Sequence, residues 1–229
     1  MTNKTLTLSQ AHKIYTGSGM WLYALKLGIC GVLMYFASIL TFFAISMLSK
    51  WDASDALKEI ADIGLINIFL TVDAGIILMI TGLVQYNKSL PGGKYFRTVN
   101  GGFDTYRKMK AASTVARVTA LIMILIFGVI IDITGTFTFT HGTVGAVYIG
   151  AFLLVCVGLI DLLSLIKSPA LRGGVTPVII FGAGALGVIT PEIFDGKLYF
   201  PLAVAGAAIP LIIISQKVML GNYKKHKWN

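Results

Sequence analysis

Long apolar runs dominate this chain, and they constrain its fold more than any other feature. An α-helix needs about 20 apolar residues to cross the hydrocarbon core of a bilayer. Six runs reach or approach this length: Trp21–Met47, Ile63–Tyr86, Ser113–Ile133, Val144–Ile166, Val175–Ile189 and Phe200–Leu220. The fifth is short for a full crossing, and Pro210 is expected to kink the sixth. The sequence therefore predicts an all-α integral membrane protein with six transmembrane helices.

The composition excludes several other classes of protein. Hydrophobic residues make up 56% of the chain and charged residues only 13%, whereas a soluble domain contains about 25% charged residues. An ordinary soluble enzyme, a disordered chain and a nucleic-acid-binding protein are all inconsistent with these values, despite the net charge of +9. The spans leave no room for a second globular domain. We therefore expect residues 1–229 to form one transmembrane domain.

The basic residues are divided unequally between the two predicted sides of the membrane. Lys and Arg near the ends of spans tend to remain cytoplasmic. With the N-terminus inside, 16 of the 19 basic residues fall on one side, and the other side has only Lys50, Lys58 and Lys197. The pattern predicts that both termini are cytoplasmic. The expected location is a plasma membrane, that of a bacterial cell, with the chain crossing it several times.

The N-terminal segment, residues 1–20, precedes the first span. Leu8, Ala11 and Tyr15 follow helical spacing and are interspersed with polar and basic residues. This spacing predicts a short helix that lies in the membrane interface. A frayed polar tail is the alternative for so short a segment.

The loop between the second and third spans, residues 87–112, is the longest and most informative. Pro91-Gly92-Gly93 and Asn100-Gly101-Gly102 are turn signals that divide it into Lys94–Val99 and Phe103–Ala112. The second piece has helical spacing of aromatic and basic residues, and aromatic residues and arginine are enriched at binding hot spots. The alternative is a basic loop that only fixes topology and touches anionic headgroups. The candidate partner-docking residues are Leu90, Pro91, Lys94, Phe96, Phe103, Tyr106, Arg107 and Lys110.

Three ionisable residues lie inside predicted spans. A charged side chain near the bilayer centre costs about 2.5–3.5 kcal/mol on insertion scales, so each is a candidate functional residue. Asp73 lies near the midplane, where it could serve as a proton, cation or substrate site, or form an interhelical hydrogen bond. Arg117 and Asp161 lie at similar depth in the third and fourth spans, which makes an ion pair plausible. Arg117 could equally extend alone to the interface.

Sequence motifs for catalysis or nucleotide binding are missing. The chain has no Gly-x-x-x-x-Gly-Lys-Ser/Thr loop, no His-Glu-x-x-His and no c-type haem signature. We therefore predict no catalytic, cofactor-binding or metal-binding residues in this chain.

The layout resembles the permease subunit of the type-2 class of ABC exporters. Similar features are the interfacial N-terminal helix, the six spans with both ends inside, and the loop that opens with Leu90-Pro91-Gly92-Gly93-Lys94. The resemblance implies a dimer with a second permease subunit, the same or different, and a separate cytoplasmic ATP-binding subunit docked on residues 87–112. ATP and Mg²⁺ would be bound by that partner. It also implies short re-entrant helices before the final span, in the Pro191–Pro201 stretch.

Three functions are consistent with these observations. The leading hypothesis is the transmembrane subunit of an ATP-driven exporter. One alternative is a secondary carrier or solute-binding membrane subunit that uses Asp73. The other is a non-transport membrane protein, such as an assembly or immunity factor, whose loop only recruits a partner. All three place the chain in a lipid bilayer, and none involves nucleic acid.

Overall fold

The computed structural model describes residues 6–48, 71–82, 102–136, 141–163, 165–166 and 168–225, and helices account for nearly all of them. The described part of the chain contains no β-strand. In chain order the helices are α1 (Leu8–Thr16), α2 (Met20–Leu48), α3 (the described segment Thr71–Gly82), α4 (Gly102–Thr136), α5 (His141–Leu163), α6 (Pro169–Ile193) and α7 (Tyr199–Lys225).

Five of these helices, α2 and α4 to α7, are long and apolar enough to cross a membrane. Their outward surfaces expose large apolar side chains such as Leu40, Val178 and Leu202. Apolar surface on this scale is unusual in a soluble monomer and is expected where helices face lipid tails. The chain is therefore a multi-span helical membrane protein. The predicted span Ile63–Tyr86 lies partly outside the described residues, of which Thr71–Gly82 is helical.

Helix α6 is longer than the sequence pattern predicted. The expected span was Val175–Ile189, whereas the helix has 25 residues and begins at Pro169. Ser168 caps its N-terminus by accepting a hydrogen bond from the backbone N–H of Leu171 at 3.4 Å, and Pro169 occupies the first turn, where its missing N–H has no cost. Pro177 and Pro191 lie inside this helix, and interior prolines are tolerated in membrane helices.

The Pro191–Pro201 stretch also differs from its expected form. It contains a tight turn between α6 and α7, not a pair of short re-entrant helices. Asp195 and Gly196 both have positive φ, 50° and 65°, a conformation that glycine adopts without strain. The hydroxyl of Tyr148 donates to the backbone carbonyl of Lys197 at 2.7 Å, which ties this turn to α5.

Helix α5 lies at the centre of the fold. Its apolar residues Ile149, Leu153, Val157 and Ile160 are buried, and the cluster that contains them includes residues from α2, α3, α4 and α6. Small residues let the neighbours approach closely. A Cβ added at Gly187 of α6 would lie 2.7 Å from the Cα of Ile149. The bundle is therefore arranged around α5, with α6 and α7 packed most extensively against it.

The N-terminal helix packs across the first turns of α4. Ala11 is fully buried in a small cluster with Tyr106 and Met109, and Leu220 of α7 packs against the same cluster. The N-terminal helix, residues 102–112 and the C-terminal part of α7 thus meet at one end of the bundle, which we call the platform end. The α6–α7 turn lies at the opposite end of α7.

Candidate functional site

A buried polar network connects three helices just inside the platform end. Arg117 of α4 donates from Nη2 to Oδ1 of Asp161 on α5 at 2.5 Å. Thr114 donates from its hydroxyl to Oδ2 of Asp161 at 3.1 Å. Gln216 of α7 donates from Nε2 to Oδ2 of Asp161 at 2.6 Å and to the Thr114 hydroxyl at 2.7 Å. We call these four residues the Arg117 network.

The network gives Asp161 several hydrogen-bond donors in a buried environment. Arg117 is 1% exposed and Asp161 is 5% exposed. A buried carboxylate is tolerated only when it is paired and hydrogen-bonded, and here a guanidinium, a hydroxyl and an amide all donate to it. The ion pair between Arg117 and Asp161, which their similar predicted depth made plausible, is therefore present. The Arg117 guanidinium does not extend alone to the interface.

Further polar groups surround this network at the junction of α1, α2 and α4. Tyr23 of α2 is half-buried and lies within electrostatic range of Arg117. Its ring centroid is 4.9 Å from that of His12 on α1. The fully buried His12 donates from Nδ1 to the carbonyl of Ser18 at 2.9 Å. Lys110, one turn before Thr114, interacts electrostatically with both Asp161 and Arg117.

The candidate docking residues occupy several environments. Arg107 is exposed and pairs with Asp104, which also contacts Lys108 at 2.8 Å. Phe103 is half-buried, with the Nζ of Lys224 at 5.7 Å from its ring centroid. Tyr106 and Lys110 are buried within the bundle. The other four candidates, in the first half of the loop, lie outside the described residues: Leu90, Pro91, Lys94 and Phe96.

Asp73 lies on α3 and is 3% exposed. The next turn of α3 contributes Ala74, Ile77 and Leu78 to the apolar core around α5. Asp73 is therefore separate from the Arg117 network in sequence and in helix, although it too is buried in the bundle. It is compatible with either a packing contact or an ion site.

Sequence reasoning missed Thr114 and Gln216 as members of the network. Thr114 precedes Arg117 by three residues, a spacing that places both on one helix face. Gln216 lies within the last predicted span at a depth close to that of Asp161. These two signals were available, but the rotation of α7 about its axis decides whether Gln216 faces α5 or lipid.

Comparisons with known proteins return no similarity: no protein-family model matches the chain, and neither do curated proteins or solved structures. The class of the protein therefore follows from its own architecture, a bundle of apolar membrane-length helices with a buried polar network near one end.

Proposed function

We propose that this chain is the membrane-embedded subunit of an ATP-driven exporter, and that its platform end docks a separate cytoplasmic ATP-binding subunit. The observation that carries the proposal is the joining of α1, residues 102–112 and the end of α7 into one basic surface. The exposed basic residues of that surface are Lys13, Arg107 and Lys224. A docking surface built on three elements can pass a displacement to several spans, which a solvated loop cannot do.

The contacts at the platform end support this assignment in a specific way. Ala11, Tyr106 and Met109 form an apolar cluster beneath the surface. Tyr106, one of the candidate docking residues, therefore packs against α1. Arg107, the next residue along α4, is exposed. Arginine is enriched at binding hot spots, and Arg107 is therefore the side chain on α4 best placed to contact a partner.

Charge reversal tests the proposal with a closely matched control. The side chain of Arg107 is 57% exposed and pairs with Asp104, while that of Lys197 is 60% exposed and lies 3.9 Å from Asp195. The two residues thus have similar exposure and similar acidic neighbours at opposite ends of the bundle. We expect Arg107→Glu to reduce co-purification of a soluble ATPase in mild detergent at least fivefold, and Lys197→Glu to leave it unchanged.

Two results would contradict the proposal. One is a homogeneous wild-type preparation with no associated ATPase, and the other is an equal loss of ATPase in both variants. The carrier alternative predicts a different outcome, since Asp73→Asn would abolish solute flux in proteoliposomes that contain this chain alone. An assembly or immunity factor would retain a stoichiometric partner but show no flux with or without ATP.

A further inference from the structure

Arg117 has hydrogen-bond donors that its network does not use. The Asp161 and Thr114 contacts both involve Nη2. The Nε and Nη1 atoms of Arg117 are buried and have no hydrogen-bond partner among the residues that the structure describes. Buried donors are nearly always satisfied by protein, water or a ligand. Since the guanidinium cannot lose its charge, these N–H groups require an acceptor.

The surroundings of Arg117 favour an acceptor that is negatively charged. Asp161 is its carboxylate partner, and that carboxylate already accepts from Thr114 and Gln216. Lys110 adds a second buried positive charge within electrostatic range of the same pair. An additional anion would therefore be attracted to this junction, and a guanidinium is well suited to phosphate oxygens.

The position of the junction points to the class of anion. Arg117 lies about one turn beyond Ser113, the predicted cytoplasmic start of the third span, close to headgroup depth. Half-buried Tyr23 lies within electrostatic range of Arg117, and its ring contacts that of His12. The Nε2 atom of His12 is buried and has no hydrogen-bond partner within the described part of the chain. Basic pockets between membrane helices at this depth bind lipid headgroups.

We propose that the junction of α1, α2 and α4 binds a phosphate group, which accepts hydrogen bonds from the Nε and Nη1 groups of Arg117. The phosphate belongs either to an anionic phospholipid or to a free inorganic anion. The site is independent of whether the chain is an exporter, because it rests only on the described helices and their buried donors.

The test uses the full-length chain purified in a neutral detergent and stripped of lipid. Phosphatidylglycerol, phosphatidylcholine and inorganic phosphate are added separately, and binding is followed by native mass spectrometry and by the thermal unfolding midpoint. We expect phosphatidylglycerol to be retained at least tenfold more strongly than phosphatidylcholine. Stabilisation by inorganic phosphate as well would identify the free anion as a ligand. Binding of neither phosphatidylglycerol nor inorganic phosphate would overturn the proposal.

Three variants separate the site from general charge attraction. Asp161→Asn frees Arg117 from its carboxylate, so we expect at least threefold tighter phosphate binding. The double variant R117Q/D161N removes both charges, and we expect phosphate binding to fall at least tenfold below wild type. Lys217→Gln is the matched control, since Lys217 is exposed beside Gln216 at the same depth, and it should bind as wild type does. The proposal would be overturned if Asp161→Asn and R117Q/D161N bound phosphate equally well. It would also be overturned if Lys217→Gln lost as much phosphate binding as R117Q/D161N.

Discussion

Asp161 accepts hydrogen bonds from side chains of two other helices. In buried ion pairs such as Arg117–Asp161, the desolvation cost generally offsets most of the attraction between the charges, so such a pair adds little net stability. Its effect is on arrangement: if α4 or α7 rotates or slides relative to α5, a donor leaves a buried carboxylate. The network therefore favours a single relative placement of the three helices.

Removing one partner of the Arg117–Asp161 pair should lower the stability of the protein more than removing both. We expect Asp161→Leu alone to destabilise the protein by about 3–5 kcal/mol, because it leaves the Arg117 charge buried without its carboxylate. The double variant R117L/D161L should recover most of that loss. The measurement is unfolding of each purified variant in mixed detergent micelles. Additive losses in the double variant would show that the two residues do not act as a buried pair.

At the scale of elements, the close contact of α5 with α6 depends on the glycine at position 187. Its backbone lies so near Ile149 that an added Cβ would meet a main-chain atom, and main-chain atoms cannot move aside as a flexible side chain can. Other glycines of α6, such as Gly182, have open space at the Cβ position. Glycines in one helix thus have different roles, although the sequence presents them alike.

The two glycines make a matched pair of substitutions. Gly187→Ala should separate α6 from α5 and lower the free energy of unfolding by about 1–3 kcal/mol, the usual cost of overpacking. Gly182→Ala should be neutral or stabilising by up to about 1 kcal/mol, because alanine is the better helix former. Thermal unfolding in detergent measures both changes. A stable Gly187→Ala variant would contradict the close packing of these helices.

At the scale of the whole molecule, the platform end gathers segments that are far apart in sequence. Ala11, Tyr106 and Leu220 meet there, as expected if both termini and the long loop lie on one side of a membrane. The basic residues predict that this side is cytoplasmic. The contacts show that these three segments lie at the same end of the bundle. The charge distribution predicts that this end faces the cytoplasm.

Cysteine labelling of intact cells tests the predicted orientation. Cys30 and Cys156 are first replaced by serine, and Lys197→Cys and Lys224→Cys are then introduced singly, since both positions are exposed. A membrane-impermeant maleimide should label position 197 in intact cells and position 224 only after permeabilisation. The reverse pattern would show that the chain is inserted in the opposite orientation.

The sequence predicted the elements of this fold better than their contacts. Apolar runs identify membrane helices because every backbone group must be paired within lipid, and five of the six expected spans correspond to apolar helices of sufficient length. The start of α6 was wrong because Arg172-Gly173-Gly174 resembles a loop in sequence. Capping by Ser168 and the tolerance of membrane helices for glycine outweighed that signal.

The candidate sites were predictable only where one helix face or one depth defined them. Arg117 and Asp161 could be paired by depth alone. The spacing of Phe103, Tyr106 and Lys110 predicted a helix, but the same spacing serves either for docking or for packing. In the structure Tyr106 is used for packing, because the small side chain of Ala11 lets α1 lie against Tyr106 and bury it.

Helix α4 has a mechanical consequence that follows from its length. Its 35 residues extend for about 52 Å at about 1.5 Å per residue, well beyond a hydrocarbon core of about 30 Å. No proline interrupts it, and proline is a principal cause of sharp helix kinks. We therefore expect α4 to resist bending along its length. A sideways force on its first turns should then tilt the rest of the helix about the Arg117 network, where α4 is held to α5 and α7.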